Sequence, residues 1–289
     1  HMGNARGGVL GDTLANVLKR DGWDTWKEFY VNDAGNQVHK FAMSIYARCM
    51  QLTVGEENYP FREEGYHGDD IRELARGFLA QVSGAFPGET AQETWESAMA
   101  EYGLRINIPK MQEDLRKYGI EYDQWFLESE LHNSGYVAET VAALTEKGWT
   151  YEKDGALWFK STDYGDDKDR VIIKSDGNYA YFAADIAYYR NKRHRDNDPA
   201  DIAIYMLGAD HHGYIGRMMA MCAAFGDEPG KNMQILIGQL VNVMKDGKPV
   251  RMSKRAGNVV TIDDLVSVVG VDAARYSLAR SDYNQNFDI

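Results

Sequence analysis

The chain has 289 residues, with 32 Lys and Arg against 44 Asp and Glu, and a formal net charge of −12. That balance excludes a generally basic nucleic-acid coat while leaving room for a local basic face, and 44% hydrophobic residues suffice for one large core or two modest ones. Two isolated cysteines, Cys49 and Cys222, argue against a disulfide framework or zinc centre and fit a reducing cytoplasm, and no apolar run reaches the roughly 20 residues that span a bilayer.

Val9, Leu10, Leu14, Val17 and Leu18 recur at helical spacing and predict a first helix that begins near Gly3 and Asn4 and stops at Gly22. A strand over 28–31 runs into "NDAGNQ" (32–37), and Val38, Phe41, Ile45 and Cys49 share one side of a second helix. Residues 52–120 are charged and poorly periodic, with polar helices following "EENYPFREEGYHGDDIRE" (56–73). They read as an insertion between two halves of a fold. A strand over 122–129 returns to the core, and 136–147 is helical. Segment 156–182 predicts β-hairpins with "GDD" and "SDG" as turns. "IAIYML" (202–207) predicts a fully buried strand of the parallel type, and "GADHHG" (208–213) turns it into a helix over 214–225. A strand and a hairpin turning at Asp246-Gly247 occupy 233–252, and helices over 262–269 and 272–279 follow. This alternation predicts a doubly wound, Rossmann-like parallel α/β sheet, which binds ligands at the carboxyl ends of its strands.

Two stretches carry candidate chemistry. In "HMGNARGGVLGD" (1–12), Gly3 allows close backbone approach, His1 and Asn4 offer donors, and a helix start attracts anions. A dinucleotide-binding loop would need a preceding strand and G-x-G-x-x-G spacing, and neither is present; a merely capped helix start is the bland alternative. In "RMSKRAGNVVTIDDL" (251–265), Ser253 and Lys254 on a loop can reach phosphates, the alternative being a solvated basic loop. A third feature is the i, i+4 pair Tyr181 and Asp185, which shares a face if that segment is helical. Otherwise Asp185 caps a helix over 186–195 and Tyr181 packs in a strand. The basic run "RNKRHR" (190–195) could meet nucleic-acid phosphates or form a solvated helix face.

An "HxGx" helix start and an "MSK" loop some 250 residues apart resemble the two signatures of class I aminoacyl-tRNA synthetases. "FYVNDAGNQ", "STDYGDDKDRVIIKSDG", "YFAADIAYY", "GADHHGYI" and "RMSKRAGNVVTIDDLV" extend the resemblance, over essentially the whole chain, to the catalytic domain of the arginyl-tRNA synthetases. The resemblance implies ATP-dependent activation of L-arginine to arginyl-adenylate, then transfer to tRNA(Arg). Mg²⁺ would be carried mainly by the ATP phosphates. It implies that His1, Gly3 and Asn4 contact ATP, and that Met252, Ser253 and Lys254 stabilise its phosphates. His1, Asn4 and Lys254 would be catalytic. Tyr181, Asp185 and His211 would bind arginine, with Asn32 and Asp33 beside the pocket. His211 stands where many members carry Gln, with a core or capping role as its alternative.

The resemblance also implies a division into 1–51, the first part of the catalytic domain without its leading strand; 52–120, the insertion; 121–260, the second part with the MSK loop; and 261–289, a junction towards an anticodon-binding domain. A cytoplasmic monomer with no membrane contact is expected. Asn4 departs from the second signature histidine and Arg251 from the first lysine of the lysine-Met-Ser-Lys pattern. With the leading strand absent, this stretch alone is expected to charge tRNA poorly. The other readings are a different class I synthetase, for which a cysteine-specific one would need a zinc site, a small nucleotidyltransferase, or a non-catalytic arginine- or nucleotide-binding paralogue.

Overall fold

The structure is a computed structural model. It describes residues 2–208, 213–239, 241–242, 244–245, 247–249, 261–283 and 287–288, with 2–4, 245, 249 and 287 as backbone alone. The chain divides into two compact units, one of residues 1–125, 241–280 and 288–289, the other of 126–240 and 281–287.

The first unit opens with α1 (Met2–Arg20). Arg6 and Val9 are buried along it, and Gly8 faces Ile120 and Tyr122 so closely that an added Cβ would lie 3.4 Å from Ile120 Cδ1. Then come β1 (Glu28–Val31), with the bounds the sequence predicts, and α2 (Asn36–Val54). Within 52–120 lie α3 (Asp69–Val82) and α4 (Gln92–Lys117). This stretch is less polar than its composition suggests. Ile71, Leu74, Ala75 and Phe78 form a helical stripe on α3 and bury against Ile45 and Cys49 of α2 and Met99 of α4. Each large apolar side chain so buried contributes about 1.5–3 kcal/mol. Charged residues surround that stripe and mask its period in the sequence. Gly103 of α4 lets the helices meet, since a Cβ there would lie 2.5 Å from the Phe41 ring. β1 pairs with β2 (Gln124–Leu127), in which the first unit gives way to the second.

The second unit continues with α5 (Glu128–Asn133) and α6 (Tyr136–Glu146). An antiparallel sheet follows, in the order β3 (Thr150–Lys153), β4 (Ala156–Phe159), β5 (Arg170–Ile173). The β3–β4 hairpin turns at Asp154-Gly155, with φ of 54° and 75°, a type I′ signal in plain sequence that the predicted hairpin, beginning only at 156, passes over. Next is α7 (Tyr181–Arg193), and then β6 (Ala203–Gly208), α8 (Ile215–Ala224) and β7 (Met233–Gly238) form a strand–helix–strand unit. β6 and β7 run parallel, in register from Ala203 opposite Met233 to Gly208 opposite Gly238. β6 is only partly buried, with Ala203 covered and Ile204 exposed, because β7 is its one paired neighbour among the described residues. Cys222 and, in the first unit, Cys49 are buried free thiols.

The chain returns to the first unit with β8 (Val241–Asn242) and the short hairpin β9 (Met244–Lys245) and β10 (Lys248–Pro249) around 246–247. Helices α9 (Ile262–Val269) and α10 (Val271–Ala279) follow. Thr261 and Asp264 form a capping box at the head of α9, and α10 packs on α1. There Asp12 of α1, almost fully buried, accepts from Lys27 Nζ at 2.8 Å, Arg275 at 2.6 Å and Asn16 at 3.2 Å. No helix of the described residues is long and apolar enough to cross a membrane.

Candidate active site

α7 decides the reading of Tyr181 and Asp185. The helix starts at Tyr181 with Ala180 as its cap residue, so Asp185 lies in its second turn and is not a cap. The two side chains therefore share a face, Tyr181 half-exposed and Asp185 one turn further in. The opposite side of α7 is committed to the core through Phe182, Ala183, Ile186 and Ala187. Asp185 keeps some exposure as a residue, yet its Oδ2 is sealed from solvent and has no hydrogen-bond partner among the described residues. Burial first, and then the like charge of Glu128, pushes its carboxyl up to about 7, with Arg217 opposing. A buried carboxylate oxygen without a donor is costly, and it marks a place where a ligand can supply the missing charge.

Three residues around Asp185 are absent from the sequence-predicted set. Glu128, the first residue of α5, is buried and adds a second carboxylate. Tyr214, just before α8, has its phenol raised by burial and by the neighbouring Asp185. The Arg217 guanidinium lies over the Tyr214 ring, 4.5 Å from its centroid, and its buried Nε has no hydrogen-bond partner. Only the placement of Glu128 straight after a strand could have drawn attention to it, because ligands gather at strand ends.

The surrounding frame is tied down by carboxylates of the opposite kind. Asp166 takes a two-pronged grip from Arg170, at 2.7 and 2.9 Å, and also lines the start of α8 at Gly216. Burial raises its carboxyl, but Arg170 outweighs that and holds it near 2. Asp227 is held by Arg193 at 2.7 Å, by His194 at 2.8 Å and by the Tyr189 hydroxyl. These bonds fasten the end of α7 to the loop after α8. Much of "RNKRHR" is thus bound within the unit: Arg190 reaches Glu139 at 3.0 Å, Arg193 and His194 hold Asp227, and Arg195 donates to the Asp198 carbonyl at 2.8 Å.

In the first unit, Gly3 and Asn4 fall in the first turn of α1, which carries no acidic residue and so leaves the helix start open to an anion. Asn32 is exposed and Asp33 half-buried directly after β1, where the Asp33 amide donates to the Val31 carbonyl at 3.0 Å. His1, His211, Met252, Ser253 and Lys254 lie outside the described residues. A cavity of about 440 Å³ in this unit, lined by His39, Lys40, Ser44, Tyr59, Phe61 and Arg62 among others, includes none of the sequence-predicted site residues. Among the described residues, no group of three or more His, Cys, Asp or Glu is placed to hold a metal ion.

A strand–helix–strand unit with parallel strands, an open anion-binding helix start and a buried carboxylate beside an aromatic face define an α/β ligand-activating domain of the class I synthetase type. The family model for the catalytic domain of class I (R) tRNA synthetases matches residues 1–285, and the chain belongs to that family. The chain is similar to the arginine–tRNA ligase of Bifidobacterium longum strain DJO10A, 54% identical over 310 aligned positions, covering all of this chain and 50% of that protein. It is also 48% identical over 291 positions to the arginine–tRNA ligase of Kineococcus radiotolerans, again covering all of this chain and half of the relative. The chain spans about half the length of the curated relatives it matches. A Campylobacter jejuni structure assigned as an arginyl-tRNA synthetase superposes with a TM-score of 0.86 at 34% identity, over all of this chain and 61% of its own. The Thermus thermophilus arginyl-tRNA synthetase, at 17% identity and a TM-score of 0.68, covering all of this chain and 57% of its own, shares the fold.

Proposed function

We propose that this chain is the adenylate-forming part of an arginine–tRNA ligase. The observation that carries the reading is the unpartnered, buried Oδ2 of Asp185 on the face it shares with Tyr181. Arginine offers a planar cation that matches a carboxylate by two parallel N–H bonds and stacks on an aromatic ring. Asp185 takes the guanidinium, Tyr181 covers it, and Glu128 adds negative potential. His211, Asn32 and Asp33 complete the set assigned to arginine.

In the reaction, an oxygen of the arginine carboxylate forms a bond to the α-phosphorus of ATP. The bond from that phosphorus to the bridging oxygen breaks, and pyrophosphate leaves. A terminal ribose hydroxyl of tRNA(Arg) then attacks the arginyl carbonyl and releases AMP. The protein's task is alignment and charge stabilisation. His1, Gly3 and Asn4 hold the nucleotide at the start of α1, and Lys254, with Met252 and Ser253, offsets charge on the leaving pyrophosphate. Mg²⁺ accompanies ATP on its phosphates, so no protein cluster of carboxylates is required. The working protein is a cytoplasmic monomer in this reading.

Calorimetry with a non-hydrolysable arginyl-adenylate analogue and its citrulline counterpart tests the reading, because citrulline keeps the shape and loses the charge. Tight binding of the arginyl form with at least a tenfold loss for citrulline is expected. Equal binding of the two would overturn the arginine assignment. Lys254→Ala should cripple adenylate formation while sparing arginine binding, which separates a ligase from a paralogue that only binds.

A further inference from the structure

We propose that Tyr118 is a positioning residue for the phosphate chemistry. Its hydroxyl ties the first turn of α9, and so the point where the chain leaves the second signature, to the helix that carries the first. The inference rests on the arginine–tRNA ligase reading and names a further residue for it.

The argument begins with α9. The helix follows "MSKRAGNVV" with one intervening residue, Thr261, and it buries none of its residues; Val268 is 81% exposed. A helix that buries no side chain is not fixed by packing. Its capping box joins Thr261 to Asp264, which shapes the helix start without anchoring it to the rest of the unit. The anchor is Asp263, whose Oδ1 accepts from the Tyr118 hydroxyl at 2.5 Å.

Tyr118 is itself immobile. It is the C-cap residue of α4, 1% exposed, and its carbonyl accepts from Arg275 of α10 at 2.8 Å. The same guanidinium donates to Asp12 of α1 at 2.6 Å, and Asp12 also binds Lys27. One tyrosine therefore uses its carbonyl on α10 and its hydroxyl on α9, within a buried knot rooted in α1. Gly119, at φ 68°, turns the chain beside Arg275 Nη1 in a conformation that favours glycine. Burial and the Asp263 carboxylate hold the phenol above its ordinary range, so it remains a donor. The chain enters the second signature from the β9–β10 hairpin and leaves it at Thr261. Freeing the exit lets the lysine wander, and a misplacement of about 1 Å can cost on the order of 100-fold in rate.

The test uses the full-length protein, with tRNA(Arg), ATP and arginine, and follows adenylate formation for Tyr118→Phe, Asp263→Ala, Asp263→Asn and the Tyr118→Phe/Asp263→Ala pair. Tyr118→Phe and Asp263→Ala should each lower kcat/KM for ATP by about tenfold or more, while KM for arginine stays within about twofold. Asp263→Asn keeps an acceptor oxygen and should retain most activity. The pair should be no worse than either single change. An unchanged kcat/KM for ATP, equal losses for arginine and ATP, or additive losses in the pair would each overturn the inference while leaving the ligase reading intact. A wild-type protein that forms no arginyl-adenylate would instead overturn that reading, and this inference with it. If Tyr118→Phe fails to fold, the exposed Asp263 still carries the test through its Ala and Asn variants.

Discussion

Asp12 in the first unit and Asp185 in the second are both buried carboxylates on helices, and the chain treats them in opposite ways. Asp12 receives a lysine, an arginine and an asparagine from its own unit. Asp185 has an oxygen with no donor and a second acid, Glu128, for a neighbour. Asp166 and Asp227, in the same unit as Asp185, behave like Asp12 and are pulled down by their arginines. Where this chain wants a buried carboxylate for structure it supplies the cation. The carboxylate it leaves unsatisfied is the one the family resemblance assigns to a cationic substrate.

The largest expected effect separates the two directly. Asp185→Ala should weaken arginine binding by about 100-fold or more, the usual consequence of truncating one side of a buried charge pair, with little loss of stability. Isothermal calorimetry with the arginyl-adenylate analogue measures it, and a loss under threefold would remove Asp185 from the pocket. Next in size is Asp12→Asn. It leaves Lys27 and Arg275 facing a neutral group and should cost about 2–3 kcal/mol of stability in denaturant unfolding. A stability within 0.5 kcal/mol of wild type, on the order of a surface substitution, would mean that the knot is not structural.

How much of this contrast is legible in sequence depends on distance along the chain. The Tyr181–Asp185 pair is readable because i, i+4 spacing is local, and α7 bears it out. β1 and α9 have the predicted bounds because turn residues and Thr261-x-x-Asp264 punctuate them. Asp12 and Arg275 stand 263 residues apart, and no periodicity or motif announces such a pairing. Glu128 is equally silent, since an acid after a short strand is common and its proximity to Asp185 is purely tertiary. The apolar stripe of α3 is present in the sequence but sits within a charged stretch, so composition obscures the period.

The third effect is a pH dependence. The guanidinium needs the ionised Asp185, and burial with Glu128 holds that carboxyl up to about 7 in the free protein. Arginine affinity should therefore be level above about pH 7 and fall about tenfold per unit below it, with one proton released per arginine bound at low pH. Calorimetry in two buffers of different ionisation enthalpy counts that proton. An affinity that is flat down to about pH 5 would show Asp185 already ionised and the contrast with Asp12 overstated.

The smallest effect has the sign that most sharply distinguishes the two aspartates. For an acid whose folded pKa is raised, ionisation opposes folding. The penalty is absent below the unfolded value of about 4, grows between about 4 and the folded value of about 7, and is complete above it. Asp185→Asn removes that penalty but leaves an amide that still lacks a full set of partners. The ligand-free variant should thus be more stable than wild type by about 1 kcal/mol at pH 8 and equal to it near pH 4. Asp12→Asn should move the other way at pH 8. A loss of stability in Asp185→Asn at pH 8 would mean that Asp185 serves the fold, as Asp12 does, and that its open oxygen is not kept for a substrate.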